Sequence, residues 1–169
     1  MYFAGRLHYL GYTPLPGAQL RYLIHHDGGV LGAIGFGAAA WQVGARDRWI
    51  GWDAPCRAAR LGRVLNNARF LILPWVGVKN LASKVLSLAA ARVAEDFPAR
   101  YGAPVVLLET YVQTPRFAGT CYRAANWRYV GETAGRGKCD RAHCAALPRK
   151  AVYVYPLTAD FRAALGVRP

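Results

Sequence analysis

The sequence predicts a single α/β domain: a mixed central sheet flanked by helices. Three observations predict it. Apolar runs at RFLILPWV (69–76), VVLLETYV (105–112) and KAVYVYPL (150–157) read as buried strands. Between the first two lies VKNLASKVLSLAAARVAEDF (78–97), apolar at helical spacing. The chain has 169 residues, which suits one domain with a substantial core, and splitting it in two would be forced.

Taken in order, TPLPGAQ (13–19) is a Pro/Gly loop. LRYLIHHDGGVLGAIGF (20–36) reads as a hairpin: Leu20, Tyr22 and Ile24 alternate onto one face, and Asp27-Gly28-Gly29 supplies turn chemistry. The returning strand is Val30–Phe36, where Gly32 and Gly35 predict a bulge or a close backbone approach. GAAAWQVGARDRWIGWD (37–53) is a polar–aromatic knot around Asp47, Arg48, Trp49 and Trp52. Asp53 is placed as the N-cap of a helix over APCRAARLGRVLNN, with Pro55 in its first turn and Asn66-Asn67 at its end. Strand 69–76 follows, broken near Pro74. In helix 78–97 the N-cap is Asn80; Leu81, Val85, Leu88, Ala89 and Val93 share a face, and Pro98, Gly102 and Pro104 close it. Strand 105–112, a short helix within 115–126, strand 127–133, a basic loop 134–150, strand 150–157 and a C-terminal helix 158–167 complete the order. A sheet of this kind exposes a helix N-terminus at the end of a strand, a geometry suited to anions.

Charge is the dominant bulk property. There are 22 Lys+Arg against 9 Asp+Glu, a net +13. That balance favours an acidic partner, nucleic acid being the usual one; a high-GC genome that writes Arg for Lys gives the same number. Apolar residues make up 54% of the chain, which excludes a disordered tail. No apolar run approaches the ~20 residues of a membrane span. MYFAGRLHYLGY lacks the apolar stretch of a signal peptide, so a cytoplasmic protein without a membrane partner is expected. Cys139, His143 and Cys144 lack a second pair at zinc spacing, and no metal is expected. No Ser-His-Asp arrangement, acid triad or P-loop supports nuclease, transposase or ATPase chemistry.

The order of elements resembles the GNAT N-acyltransferases. In that superfamily a splayed strand precedes a helix whose N-terminal amides bind the acyl-CoA pyrophosphate. A later short helix carries a Tyr that protonates the leaving thiolate, before a Gly-Phe pair. The resemblance puts Tyr122 at the acid position and Asn126-Trp127 at the Gly-Phe pair. It puts the cofactor at Lys79, Asn80, Ala82 and Ser83. Of the expected phosphate loop only Ala82 matches; Asn80 stands for a Gly, and Val78 carries a Cβ where backbone would approach phosphate. The scaffold is acyltransferase-like with a degenerate CoA loop, and the cofactor is left unassigned.

A fuller resemblance is to the DruA-like family of the Druantia anti-phage system and of mobile elements. It rests on RDRWIGWD (46–53), NNARFLILPWVGVKNLASKVL (66–86), RYGAPVVLLETYV (100–112), GTCYRAANWRYVGETAGRGK (119–138) and ALPRKAVYVYPL (146–157). It implies a context of defence and mobile DNA, and partner proteins encoded nearby. Members are often longer at the N-terminus, so a single DruA-like domain over 1–169 without that region is expected.

Two sets of site residues follow. In the first, Tyr122, Arg123, Asn126, Trp127 and Arg128 line a cleft beside Glu109 and Thr110. Glu109 is either a general base with a raised pKa or the partner of Arg123 or Arg128 in a structural ion pair; Trp127 is either cleft or core. In the second, Arg128, Arg136, Lys138, Arg141, Arg149 and Lys150 bind nucleic acid. Gly135 and Gly137 flank Arg136, so backbone can approach a phosphate, and Arg forks match phosphate oxygens. Asp47, Arg48 and Asp53 are either catalytic acids or groups that tie a loop down, and local ion pairing is the preferred reading; His25-His26 is read as exposed and idle.

Overall fold

The computed structural model describes residues 17–114, 116–135 and 147–167. Six strands form one sheet in the order β1-β2-β3-β4-β6-β5. The strands are β1 Leu20–His26, β2 Gly29–Ala38, β3 Val64–Ile72, β4 Leu107–Gln113, β5 Arg128–Glu132 and β6 Lys150–Pro156. Every pairing is antiparallel except β3 with β4. Helices are α1 Gly44–Ile50, α2 Ala54–Arg60, α3 Leu81–Tyr101, α4 Thr120–Ala124 and α5 Phe161–Ala164. The mixed α/β class holds, and no described helix is long and apolar enough to cross a membrane.

Alternation along β4 divides the core into two layers. Leu108 and Val112 pack with α3 and α4, against Val85, Leu86, Val93 and Phe97. Leu107 faces the other way, toward Ile50, Trp52, Phe161 and Leu165. The buried stripe of α3 differs from the expected one in one place. Leu88 is 55% exposed and Leu86 is fully buried. A 3.6-residue period puts Leu86 between Val93 and Phe97 on the buried stripe and turns Leu88 away from it.

The hairpin forms as expected. Gly32 is a close approach: a Cβ there would lie 2.1 Å from the Leu71 carbonyl oxygen. The bulge falls next to Gly35, where the β2–β3 register slips between Gly35 and Phe36 and passes over Ala68. Asp53 caps α2 as expected, its carboxylate accepting from Cys56 N at 2.8 Å.

Three boundaries need correction. Helix α2 stops at Arg60, a 3-10 turn covers Leu61–Arg63, and Asn66-Asn67 sit inside β3 rather than at a helix end. Val64 and Leu65 bury against opposite layers, and pairing with β2 and β4 overrides local helix propensity. Helix α3 runs past Pro98 to Tyr101 and ends on Gly102, whose φ is 69° and whose N–H bonds the Pro98 carbonyl at 2.8 Å. Asn80 precedes α3 but makes no side-chain cap. The knot at 37–53 contains α1, a seven-residue helix too short to stand on propensity.

Candidate functional site

Strands β3 and β4 pair in parallel through Val64↔Leu107, Leu65↔Leu108 and Asn66↔Glu109, and then diverge. The divergence opens a cleft of about 230 Å³. Asn67, Arg69, Phe70, Thr110, Tyr122 and Lys150 are among the residues that line it.

The bulge at Ala68 sets the chemistry of one wall. It brings Asn67 and Phe70 onto the same face although they are three residues apart. Asn67 is 4% exposed and all its side-chain atoms are used. Its Nδ2 donates to the Gly35 and Arg69 carbonyls, both at 3.1 Å, and its Oδ1 accepts from the Tyr122 hydroxyl at 2.8 Å. Thr110 Oγ1 donates to the Asn67 carbonyl at 3.0 Å.

Tyr122 is aimed at the cleft by the start of α4. Gly119 has φ 66°, and a Cβ there would lie 2.6 Å from the Tyr153 hydroxyl oxygen, so only glycine fits. The Tyr122 ring stacks on Tyr153, with centroids 5.9 Å apart, and meets Trp127 and Phe70 edge-on at 5.2 and 6.4 Å. Trp127 is core. Arg123, Asn126 and Arg128 are exposed and do not line the cleft, contrary to expectation. A five-residue helix shows only one side to the sheet, and Tyr122 and Ala125 take it.

Glu109 is fully buried and lies on the opposite face of the sheet from Tyr122. Its partner is neither Arg123 nor Arg128. Arg46 on α1, also fully buried, donates to Glu109 Oε2 at 2.9 Å and to Asp47 Oδ1 at 2.8 Å. The Tyr111 hydroxyl and Ala40 N donate to Glu109 Oε1. Trp52 Nε1 and Val43 N donate to Asp47, and Arg57 approaches it at 3.4 Å. Burial pushes the Glu109 carboxyl up, while Arg46 and then Tyr111 pull it back. Burial and the neighbouring Glu109 hold the Tyr111 phenol well above its usual range. Every oxygen of the two carboxylates has a donor, so the cluster ties α1 to the sheet.

At the start of α3, Lys79 and Asn80 are exposed and Ala82 and Ser83 half-buried. Ser83 Oγ donates to the Asn80 carbonyl at 3.0 Å. Asn80 and Asn126 are the two non-glycine residues with positive φ among those described, at 61° and 63°. Both stand where the GNAT pattern has glycine, and Asn is the side chain that best tolerates that conformation. Among the basic residues, Arg136, Lys138 and Arg141 lie outside the described residues, as do Cys139, His143 and Cys144. Arg149 is exposed, 4.0 Å from Glu132, and Lys150 reaches the cleft.

The splayed pair, the helix that follows β3 and the Tyr-bearing short helix define a GNAT-type scaffold, and solved structures bear this out. A chimera of the spermidine N-acetyltransferase SpeG from Vibrio cholerae and hSSAT is similar at TM-score 0.54 and 10% identity, over 83% of this chain and 68% of that one. An N-acetyltransferase from Staphylococcus aureus Mu50 is similar at 0.51 and 17%, over 83% and 68%. The aminoglycoside acetyltransferase AAC(6')-Ib, solved with coenzyme A and kanamycin, is similar at 0.52 and 16%, over 86% and 71%. These identities show the fold alone. No curated protein sequence matches the chain. The family described as Druantia protein DruA matches residues 1–146. The chain therefore belongs to the DruA family, and through it is associated with the Druantia defence system.

Proposed function

We propose that this DruA-family chain is a nucleic-acid-contacting factor of anti-phage defence or mobile DNA. Its basic segment, Arg136 to Lys150 with Arg128 beside it, holds the phosphate backbone. The observation that carries the reading is the net charge of +13 joined to this segment, whose end at Lys150 lies at the cleft. Among the described residues the ion-pair partner of Arg149 is Glu132, at 4.0 Å, and its fork suits phosphate oxygens. Contacts of this type give affinity without reading sequence. The test is a salt titration of binding to a mixed-sequence oligonucleotide. Affinity is expected to fall steeply with salt, and neutralising Arg136 and Lys138 together should flatten the log–log slope by about two. Binding indifferent to both salt and substitution would sink the reading.

A second reading, acyl or aminoacyl transfer, is favoured by one observation: Tyr122 stands at the cleft with its hydroxyl held by Asn67 at 2.8 Å. If Tyr122 protonates a leaving thiolate, Tyr122→Phe should lower acetyl-CoA turnover by about 10²–10⁴-fold, the contribution of a general acid. Its melting temperature should show the chain still folded. Equal turnover in the two proteins excludes Tyr122 as the acid.

A further inference from the structure

The geometry points to the β3–β4 cleft as the seat of one unpaired nucleotide, with its base between the strands and its phosphate at Arg69 and Lys150. This rests on the nucleic-acid reading above and names the part of the ligand that the cleft takes.

The cleft is cationic. Arg69 and Lys150 line it, no carboxylate does, and neither cation is in an ion pair among the described residues. Arg69 spends one nitrogen on the Ala68 carbonyl at 2.8 Å. The nearest acid in the ladder, Glu109, points to the other face and is neutralised by Arg46. An anion is favoured here, and a guanidinium next to an ammonium suits a phosphate.

The rest of the lining suits a planar ring with polar edges. Because the cleft lies between diverging strands, residues of both sheet faces border it. Tyr122, Phe70 and Thr110 come from one face, Tyr111 and Asn66 from the other. Aromatic rings hold bases by stacking without choosing among them. Asn66 Oδ1 is buried and has no partner among the described residues. An acceptor in that state is costly unless a ligand N–H satisfies it, and base edges carry such donors. About 230 Å³ admits a ring system and excludes a duplex, whose bases are already paired and stacked. Lys150, which lines the cleft, also ends the basic run 136–150 of the sequence, so the two sets of phosphate contacts are continuous in the chain.

The experiment uses the full chain and a short single strand carrying one 5-iodouracil, irradiated after its affinity has been measured. Adducts are mapped by mass spectrometry. The expected result is an adduct on Phe70, Tyr111 or Tyr122, absent when the same base is paired in a duplex. Asn66→Ala should lower its yield at subsaturating strand by about three- to tenfold, the loss of one hydrogen bond. Phe70→Leu, which keeps an apolar side chain on the same wall, should lower it too. Salt-sensitive binding with adducts confined to residues 135–149, or an equal adduct from the duplex, overturns the cleft seat and leaves the backbone reading intact. No binding to either strand overturns both, and appears in the affinity step before any irradiation.

Discussion

Arg46→Ala is expected to destabilise the fold by about 3–5 kcal/mol, the cost of breaking a buried ion pair by removing one partner. The substitution strips Glu109 of its 2.9 Å partner and Asp47 of its 2.8 Å partner in one step. Glu109 is then buried with neutral donors only, and Asp47 keeps Arg57 at 3.4 Å as its remaining cation. For a chain of this size the loss corresponds to a melting temperature lower by roughly 6–20 °C. Equilibrium urea unfolding reads the free energy directly. The double variant Arg46→Met with Glu109→Met removes the charges together and should recover a large part of the loss. If Arg46→Ala costs less than ~1 kcal/mol, water or rearrangement reaches the cluster and it does not fasten α1.

Asn67→Ala should cost about 2–4 kcal/mol. One small side chain joins three elements here: the β2 carbonyl of Gly35, the far side of the bulge at Arg69, and Tyr122 on α4. Each buried group left without a partner costs about 1–3 kcal/mol. The effect on Tyr122 is separable by a double-mutant cycle with Tyr122→Phe. A coupling of about 0.5–3 kcal/mol is expected for two groups in one network. Additive losses would mean that stacking on Tyr153 alone holds the Tyr122 ring, and that Asn67 serves only the bulge.

These two predictions rest on the parts of the molecule that sequence reading reached least well. Arg46 and Asp47 were visible as charges in RDRWIGWD, but their partner Glu109 is 63 positions away from Arg46. Glu109 was expected to need an arginine because it follows an apolar run, and it has one. Arg123 and Arg128 were nearer in the chain and in the wrong place. Alternation along β4 sends Glu109 to the α1 side and Thr110 to the α4 side. In sequence Asn66-Asn67 resembles a helix end, because Asn favours such places. Inside a bulged strand the same amide group does similar work, satisfying backbone groups that the ladder leaves over.

The sequence by itself determined the class of fold, the order of its elements, the hairpin, the Asp53 cap and the family. These depend on periodicity, turn chemistry and motifs read within a few tens of residues. The two asparagines in glycine positions were also legible as departures from a pattern. Only the structure shows that both adopt the left-handed backbone the pattern requires. What only the tertiary structure decided is the cleft itself. Its width comes from the splay of β3 from β4, its wall from a bulge set by the register with β2, and its charge from Arg46 cancelling Glu109 on the far face. Register, splay and burial are properties of strands packed against one another. They arise from contacts far apart in the chain, which local residue patterns do not encode.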